Sequence, residues 1–213
     1  ELSVRLSDIQ AVISEKESEK SLLVSQREEK NSILEKVHEQ KSEYNIMVRA
    51  LEREYRKLNK ILASLELKRK RAKKADFGDF SRMKGVLQWP VKGGDVIKKY
   101  GKNVHPEFRT ATFNPGIDIK TTRGHSVRAV FDGSVVYTGH LRGMGNFIIL
   151  DHGNGYYTMY GNLDKVLVKD KDRIKSGTPV GLAGDSGSFD GVKLHFEIRH
   201  KKTTLDPESW LGT

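Results

Sequence analysis

The chain has 213 residues and a formal net charge of +10, with 38 lysines and arginines against 28 aspartates and glutamates. It has no cysteine, which excludes disulfide bonds and cysteine-ligated zinc, and no apolar run reaches the roughly 20 residues that a membrane-spanning helix needs. The basic surface favours anionic partners such as nucleic acid, anionic lipid or an acidic protein face, but it does not define a fold.

Glycine and proline divide the sequence into two parts. All 20 glycines and all 5 prolines lie at or after Gly78, so residues 1–77 contain neither. The first third is therefore a candidate for uninterrupted helix, and the remainder is predicted to be rich in turns and strands. The chain begins within the helical pattern, with no cap and no signal peptide, so we expect the native N-terminus to be missing.

A heptad pattern runs through the first third. Alternate steps of four and three residues from Leu2 to Leu65 meet 19 positions, of which 14 are apolar or tyrosine. This pattern is typical of the a/d seam of a coiled coil, because a helix with such a stripe needs a partner in water. We therefore predict a coiled-coil stalk over residues 1–75, followed by a linker over residues 76–85. The remaining seam positions are basic and should weaken the packing locally: Lys16, Lys20, Arg27, Lys30 and Lys41.

The basic run KRKRAKK, residues 68–74, has two interpretations. It could bind nucleic acid or lipid, or it could be a solvated last helical turn, where the helix dipole favours cations. No aromatic residue interleaves the charges, as stacking on bases would require, so the second interpretation is favoured.

Short segments of alternating apolar residues, separated by glycine turns, fill the sequence from Val86 onward. The run Asp-His-Gly-Asn-Gly at 151–155 lies between two such segments and is a hairpin turn signal. These features predict an antiparallel β-sheet domain over residues 86–213. The predicted fold class is thus a long α-helical coiled coil followed by an antiparallel β-sheet domain.

Six sequence blocks of this domain occur in a recognisable order. They are GIDI, a Gly-x-Val strand, DHGNGYYTMYGNL, PVGLAGDSGS, LHFEIR and PESWL. Together they resemble the lysostaphin/LytM-type zinc endopeptidase domain, over about residues 86–211. The resemblance implies a site in which a His-x-x-x-Asp pair and the second histidine of His-x-His bind zinc. A histidine of a Tyr-x-His-Leu block and the first histidine of His-x-His would then assist the attacking water.

Three of those five positions differ in this chain. By the resemblance, Asn114 stands where the first zinc-binding histidine is expected, Asn162 replaces the Tyr-x-His-Leu histidine, and Lys193 replaces the first histidine of His-x-His. Only Asp118 and His195 are retained. The domain is therefore expected to be a degenerate LytM domain.

The chemistry of these replacements argues against a zinc peptidase. A hydrolytic zinc site needs three good protein ligands and an open position for water, and a neutral carboxamide is a poor third ligand. The Lys193 ammonium would repel a dication, and Asn162 cannot act as a general base. We predict no metal, no cofactor and no catalytic residue. Because Lys193 and His195 share one face of an alternating strand, we also predict a charge-assisted hydrogen bond from Lys193 to Asp118.

A coiled coil followed by a degenerate LytM domain is similar to the EnvC-type murein hydrolase activators. The resemblance implies a non-catalytic, periplasmic activator of a zinc N-acetylmuramoyl-L-alanine amidase in cell separation. It also implies contact with an FtsE–FtsX-like division complex through the coiled coil, and no nucleic-acid partner. The amidase would bind in the former peptidase groove. The residues predicted to form that partner-binding groove are Asn114, Asp118, Tyr160, Asn162, Lys193 and His195.

Two alternatives from other classes remain open. The first is an active zinc-dependent peptidoglycan endopeptidase with a rearranged metal site. The second is a structural coiled-coil protein whose basic surface binds nucleic acid or another anionic polymer.

Overall fold

The computed structural model describes residues 2–71, 77–105, 109–188 and 191–212, and the predicted basic run at 68–74 lies partly outside them. Within these residues the chain forms one α-helix, α1, over Leu2–Arg71, and twelve β-strands. Short 3₁₀ turns lie at Phe80–Met83 and Pro207–Ser209. The strands are β1 Asp95–Lys98, β2 Gly101–Val104, β3 Ala111–Asn114, β4 Ile117–Lys120, β5 Ser126–Arg128, β6 Gly133–Leu141, β7 Gly145–Asp151, β8 Tyr156–Val166, β9 Arg173–Ile174, β10 Pro179–Ala183, β11 Lys193–His200 and β12 Thr203–Leu205.

Ten of these strands form one antiparallel sheet with the order β1-β4-β11-β8-β7-β6-β9. Strand β10 pairs with β5 and β8, and β12 pairs with β11. Strands β2 and β3 form a separate two-stranded ribbon. The central strand β11 places His195 opposite Asp118 on one side and opposite Gly161 on the other. The sheet therefore brings together residues that are far apart in sequence.

One face of the sheet carries the main hydrophobic core. Successive side chains of a strand point to opposite faces, so Leu194, Phe196 and Ile198 of β11 share this face. They are fully buried, and they pack in one cluster with Ile117 and Ile119 of β4. The alternation of the sequence is thus the direct cause of the position of this core.

The opposite face of the sheet is covered by the last part of α1. Leu58 and Leu62 are 0% and 5% exposed. They pack in a second apolar cluster whose sheet members are Met144, Phe147, Ile149, Tyr157 and Met159. The Tyr157 hydroxyl donates a hydrogen bond of 2.8 Å to Glu66. Glu66 also forms a salt bridge of 2.7 Å with Arg69. Arg69 belongs to the basic run, and its side chain lies within the described part of the chain. The helix is therefore bound to this face by apolar and polar contacts together.

The packing divides the chain into two compact units, residues 1–47 and residues 48–213. The first unit is helical, and the second contains the end of α1 together with the sheet. Within the described residues, no helix is both long enough and apolar enough to span a membrane.

The predicted fold class, a long α-helical coiled coil followed by an antiparallel β-sheet domain, is wrong in its first part. The described residues contain a single α-helix, and the seam residues Leu58 and Leu62 pack against the sheet instead of a second helix. An apolar stripe with this period can pack against a second helix or against a sheet, so the heptad pattern does not distinguish the two arrangements. Earlier seam residues are exposed in the described structure: Leu6, Ile9, Ile13, Leu23, Leu34 and Val37. The boundaries at 1–75, 76–85 and 86–213 stay a prediction.

Replacing Leu58 by alanine tests the packing of α1 on the sheet. We expect Leu58→Ala to lower the free energy of unfolding by about 2–5 kcal/mol, because it leaves a cavity at a fully buried position. Leu34→Ala, at an exposed position of the same helix, should change it by about 0.5 kcal/mol or less. Urea unfolding measures both variants, and equal effects would contradict the packing described here.

A buried histidine ties the β8 hairpin to the segment that follows α1. His152 is 0% exposed, and its ring stacks on Phe80 at 4.9 Å between centroids. Its Nδ1 donates to the backbone carbonyl of Asp132 at 2.8 Å, and its Nε2 lies 2.7 Å from the Thr158 hydroxyl oxygen. These contacts fit a neutral imidazole. Burial lowers the pKa of His152 to about 4.

The depressed pKa of His152 predicts an acid sensitivity of the fold. In the unfolded chain this histidine takes up a proton near pH 6.5, but in the folded chain only near pH 4, so the free energy of unfolding should fall between these values. A shift of this size corresponds to about 3 kcal/mol. Unfolding measured from pH 7 to 4 should show a shallower loss for His152→Gln than for the unmodified protein. His38→Gln, at an exposed position, should lose as much free energy of unfolding between pH 7 and pH 4 as the unmodified protein.

Candidate functional site

The candidate site is a row of charged residues on the helix-covered face of β11. Lys193, His195, Glu197 and Arg199 alternate with the core residues of this strand, so they share the opposite face. Asp118 of β4 lies beside His195 in the register. We call these five residues the charge ladder.

The charge ladder is joined from end to end by short contacts. Lys193 Nζ donates to Asp118 Oδ2 at 2.8 Å, and Asp118 Oδ1 accepts from His195 Nδ1 at 2.6 Å. His195 Nε2 donates to Glu197 Oε1 at 3.1 Å, and Arg199 Nε donates to Glu197 Oε2 at 2.7 Å. Cations and carboxylates therefore alternate along the whole row.

The ladder is almost inaccessible to water. Glu197 and Arg199 are 0% and 1% exposed, and the His195 side chain is 12% exposed. Charges in such an environment are stable only when they are paired. The alternation of sign along the ladder supplies this pairing.

Two groups of the ladder have strongly shifted pKa values. Burial disfavours the imidazolium form of His195, but its hydrogen bonds to Asp118 and Glu197 outweigh this effect and raise its pKa to about 9. Burial alone would also raise the pKa of Asp118, but His195 and Lys193 hold it well below the usual value. His195 is therefore a cation near neutral pH, and Asp118 is an anion.

The predicted hydrogen bond between Lys193 and Asp118 is confirmed by the distance of 2.8 Å and by the burial of both groups. The ammonium lies on the carboxylate that the resembling family uses as a zinc ligand. A lysine side chain thus supplies a fixed positive charge to this carboxylate.

Asn114 and Tyr160 form hydrogen bonds with backbone groups outside the ladder. The Asn114 side-chain nitrogen donates to the backbone carbonyls of Lys98 and Lys99, at 3.4 and 3.2 Å. Tyr160 belongs to the main core, where its hydroxyl accepts from the backbone N–H of Val130 at 3.1 Å.

Asn162 connects the two loops beside the ladder. It has a positive φ of 59°, a conformation that asparagine tolerates better than most residues. Its side-chain nitrogen donates to the Ser186 carbonyl at 2.8 Å, and its backbone N–H donates to the Met144 carbonyl at 2.6 Å. Of the six predicted groove residues, the structure brings Asp118, Lys193 and His195 into direct contact. Whether all six form a partner-binding groove stays a prediction.

Sequence reasoning missed four residues that complete the site. Glu197 and Arg199 continue the polar alternation of β11, and this pattern was the available signal. Asn59 accepts a hydrogen bond of 3.0 Å from Arg199 Nη1, and the Tyr55 ring lies 5.2 Å from the guanidinium carbon. Nothing in the sequence indicated that α1 would reach the strand.

The donors of this site do not fit a zinc ion. Both ring nitrogens of His195 are engaged by carboxylates, and both oxygens of Asp118 are engaged by cations. A zinc ligand needs a free lone pair on a neutral imidazole, and the nearby ammonium opposes a dication. No group of three or more histidine, cysteine, aspartate or glutamate residues suited to a metal occurs in the described part of the chain.

Comparison with known proteins agrees with this fold. Residues 112–207 match the model of Peptidase family M23. A similar solved structure is a zinc-containing peptidase from Vibrio cholerae. It superposes with a TM-score of 0.54 and 29% identity, over 59% of this chain and 40% of that one.

Three curated proteins are similar in sequence. Outer membrane antigenic lipoprotein B of Haemophilus influenzae is 40% identical over 127 residues, which are 59% of this chain and 29% of that protein. The murein hydrolase activator EnvC of Escherichia coli is 32% identical over 135 residues, which are 63% of this chain and 31% of EnvC. The murein hydrolase activator NlpD of Escherichia coli is 36% identical over 125 residues, which are 58% of this chain and 31% of NlpD. The match therefore spans less than a third of each relative.

Removing the Lys193 ammonium should destabilise the ladder. We expect Lys193→Met to lower the free energy of unfolding by about 2–3 kcal/mol, because Asp118 loses a charge-assisted partner in a buried site. Lys169→Met removes an exposed lysine and should change it by about 0.5 kcal/mol or less. Chemical denaturation at pH 7 compares the two, and an unaffected Lys193→Met variant would show that the pair adds nothing.

Proposed function

We propose that this protein is a non-catalytic activator of a cell-wall N-acetylmuramoyl-L-alanine amidase, which it binds through the former peptidase groove. The observation that carries the proposal is the charge ladder. Its members Asp118, Lys193 and His195 stand at positions where, by the resemblance, a zinc peptidase would have its site, and they are hydrogen-bonded to one another and to Glu197. In this proposal the domain is a pseudoenzyme that keeps the groove without the hydrolytic chemistry.

Two observations support a binding role for this face. A polypeptide segment, residues 51–66 of α1, already lies on it and contributes Leu58 and Leu62 to the apolar cluster. Such a combination of apolar anchors and polar groups is typical of protein-binding surfaces. The names of the relatives EnvC and NlpD, murein hydrolase activators, also support it.

The predicted groove residues have a structural part in this proposal. Asn114, Asp118, Tyr160, Asn162 and Lys193 are at most 7% exposed, so they would shape the groove and fix its loops. His195 is more accessible. Direct contacts to the amidase would then come from the apolar residues that α1 covers, with Met144 and Met159 among them.

The helix segment on the groove would regulate access to it. A covered state and an open state form a two-state element, and a ligand that binds only the open state shifts the population towards it. Leu58 and Leu62 are the most buried apolar residues that the helix contributes to this cluster, so they would contribute strongly to the energy difference between the two states.

The protein would act in the periplasm of the cell envelope, where the amidase has access to murein. The name of the lipoprotein relative, which mentions the outer membrane, supports an envelope location. A second partner would be a division-site membrane complex related to FtsE–FtsX, reached through the helical residues before Val48. Through these two partners the protein would act in cell division.

An active zinc-dependent endopeptidase with a rearranged site is the second candidate. The observations that favour it are the retained Asp118 and His195 and the similarity to a zinc-containing peptidase. Metal analysis after exposure to micromolar zinc separates the two functions. Stoichiometric zinc together with hydrolysis of cell walls by the protein alone would establish the peptidase.

Dye release from labelled peptidoglycan tests activation directly. We expect no release by the protein alone, slow release by an N-acetylmuramoyl-L-alanine amidase alone, and faster release by both. A double variant, Leu58→Asp with Leu62→Asp, should activate at about tenfold lower concentration, because it weakens the cover by more than the 1.4 kcal/mol that this factor requires.

The matched control is Leu34→Asp with Val37→Asp, which places the same charges at exposed positions of α1. This variant should activate like the unmodified protein. If the Leu58 and Leu62 variant also activates like the unmodified protein, the helix does not control access. If no combination of protein and amidase releases dye faster than the amidase alone, the activator function is wrong.

A further inference from the structure

Arg199 is incompletely paired by the helix that covers it. It is 1% exposed, and its three nitrogens meet different environments. Nε donates to Glu197 at 2.7 Å, and Nη1 donates to the side-chain oxygen of Asn59 at 3.0 Å. Nη2 is buried and has no hydrogen-bond partner within the described residues. The outer edge of this guanidinium therefore faces a single neutral acceptor.

The charge of Arg199 is also incompletely compensated. Its only direct carboxylate contact among the described residues is Glu197, whose other oxygen accepts from His195. One carboxylate is thus shared by two cations. Burial lowers the pKa of Arg199 to about 10, which shows that this environment disfavours its positive charge.

The segment of α1 on this face is itself incompletely satisfied. The hydroxyl of Tyr55, whose ring lies over Arg199, is buried without a partner in the described structure. Asn59 offers one amide oxygen, whereas a guanidinium has two parallel donor sites that match the two oxygens of a carboxylate. A residue with a carboxylate at the position of Asn59 would satisfy both the geometry and the charge.

We infer that this face is a binding site for an acidic polypeptide segment, whose carboxylate replaces the Asn59 amide and binds the outer edge of Arg199. The inference rests on the proposed function and deepens it, because it states the chemistry of the amidase segment that displaces α1. The chain's own helix carries a neutral residue at this position, so its contact with Arg199 is weaker than the contact that a carboxylate would make. The apolar contacts of Leu58 and Leu62 are available to both, and the carboxylate decides between them.

A double-mutant cycle in the full chain tests the preference of Arg199 for a carboxylate. Hydrogen exchange of the backbone amides around Leu58 reports the opening of α1 from the sheet. Asn59→Asp should slow this exchange about tenfold, because a charged acceptor roughly doubles the strength of the hydrogen bond. The slowing of exchange by Asn59→Asp should disappear when Arg199 is replaced by methionine. It should also disappear in Arg199→Lys, because lysine keeps the charge but lacks the two parallel donors of a guanidinium.

Ser64→Asp is the matched control, since it adds the same charge to α1 at an exposed position. It should leave the exchange near Leu58 unchanged. Unchanged exchange in Asn59→Asp would overturn the inference. Equal slowing in the presence and absence of the arginine would overturn it as well.

Competition in the dye-release assay tests the ligand itself. Two synthetic peptides of residues 48–71 are compared, one with the native sequence and one with Asn59→Asp. The acidic peptide should inhibit amidase stimulation at about tenfold lower concentration. Equal inhibition would overturn the inference while leaving the activator function intact. If soluble peptidoglycan fragments compete as well as the acidic peptide, the site binds cell-wall carboxylates and the proposal of a polypeptide ligand is wrong.

If there is no stimulation to inhibit, the proposed function fails. The exchange cycle alone then decides whether the face prefers a carboxylate.

Discussion

The packing of Leu58 and Leu62 on the sheet is the contact on which the chemistry of this unit depends. These two side chains, with Tyr157 and Met159 beneath them, remove water from a face that also carries a row of charged residues. An unpaired charge in such a place would cost several kcal/mol, whereas a solvated one would cost nothing. The cover therefore forces every ionisable group on this face to find a partner within the protein, and the charge ladder is the result.

The charge ladder and a zinc site are incompatible uses of the same residues. A metal requires deprotonated ligands, so His195 would have to be neutral and Asp118 free to coordinate. In the ladder His195 is a cation between two carboxylates, and the Lys193 ammonium binds one oxygen of Asp118. The ammonium is covalently attached to the strand, so the positive charge beside Asp118 does not depend on a bound ion.

The features that depend on local sequence were predictable, and those that depend on distant contacts were not. Alternation of Leu194 and Phe196 with polar residues identified the central strand, because the period of a strand is two residues. The contact between Lys193 and Asp118 followed from the same alternation once the resemblance placed the two strands together. The packing of Leu58 on the sheet did not follow from the sequence, because the same apolar stripe can pack against a second helix or against a sheet. The burial of Arg199 was missed for the same reason, since polar alternation usually marks the solvated face of an antiparallel sheet.

The incomplete pairing of Arg199 is the physical reason for proposing that the face covered by α1 binds another polypeptide segment. If α1 satisfied every group beneath it, release would require the loss of all contacts with no better alternative. The apolar pair Leu58 and Leu62 stabilises the cover, while the neutral Asn59 and the unpaired Nη2 leave part of the possible binding energy unused. In the proposed binding mode, a competing segment would repeat the apolar contacts and add a carboxylate, and this gain must offset the advantage that α1 has as part of the same chain. In the proposed binding mode, the cover would be strong enough to exclude water and weak enough to be replaced by a segment with a carboxylate at this position.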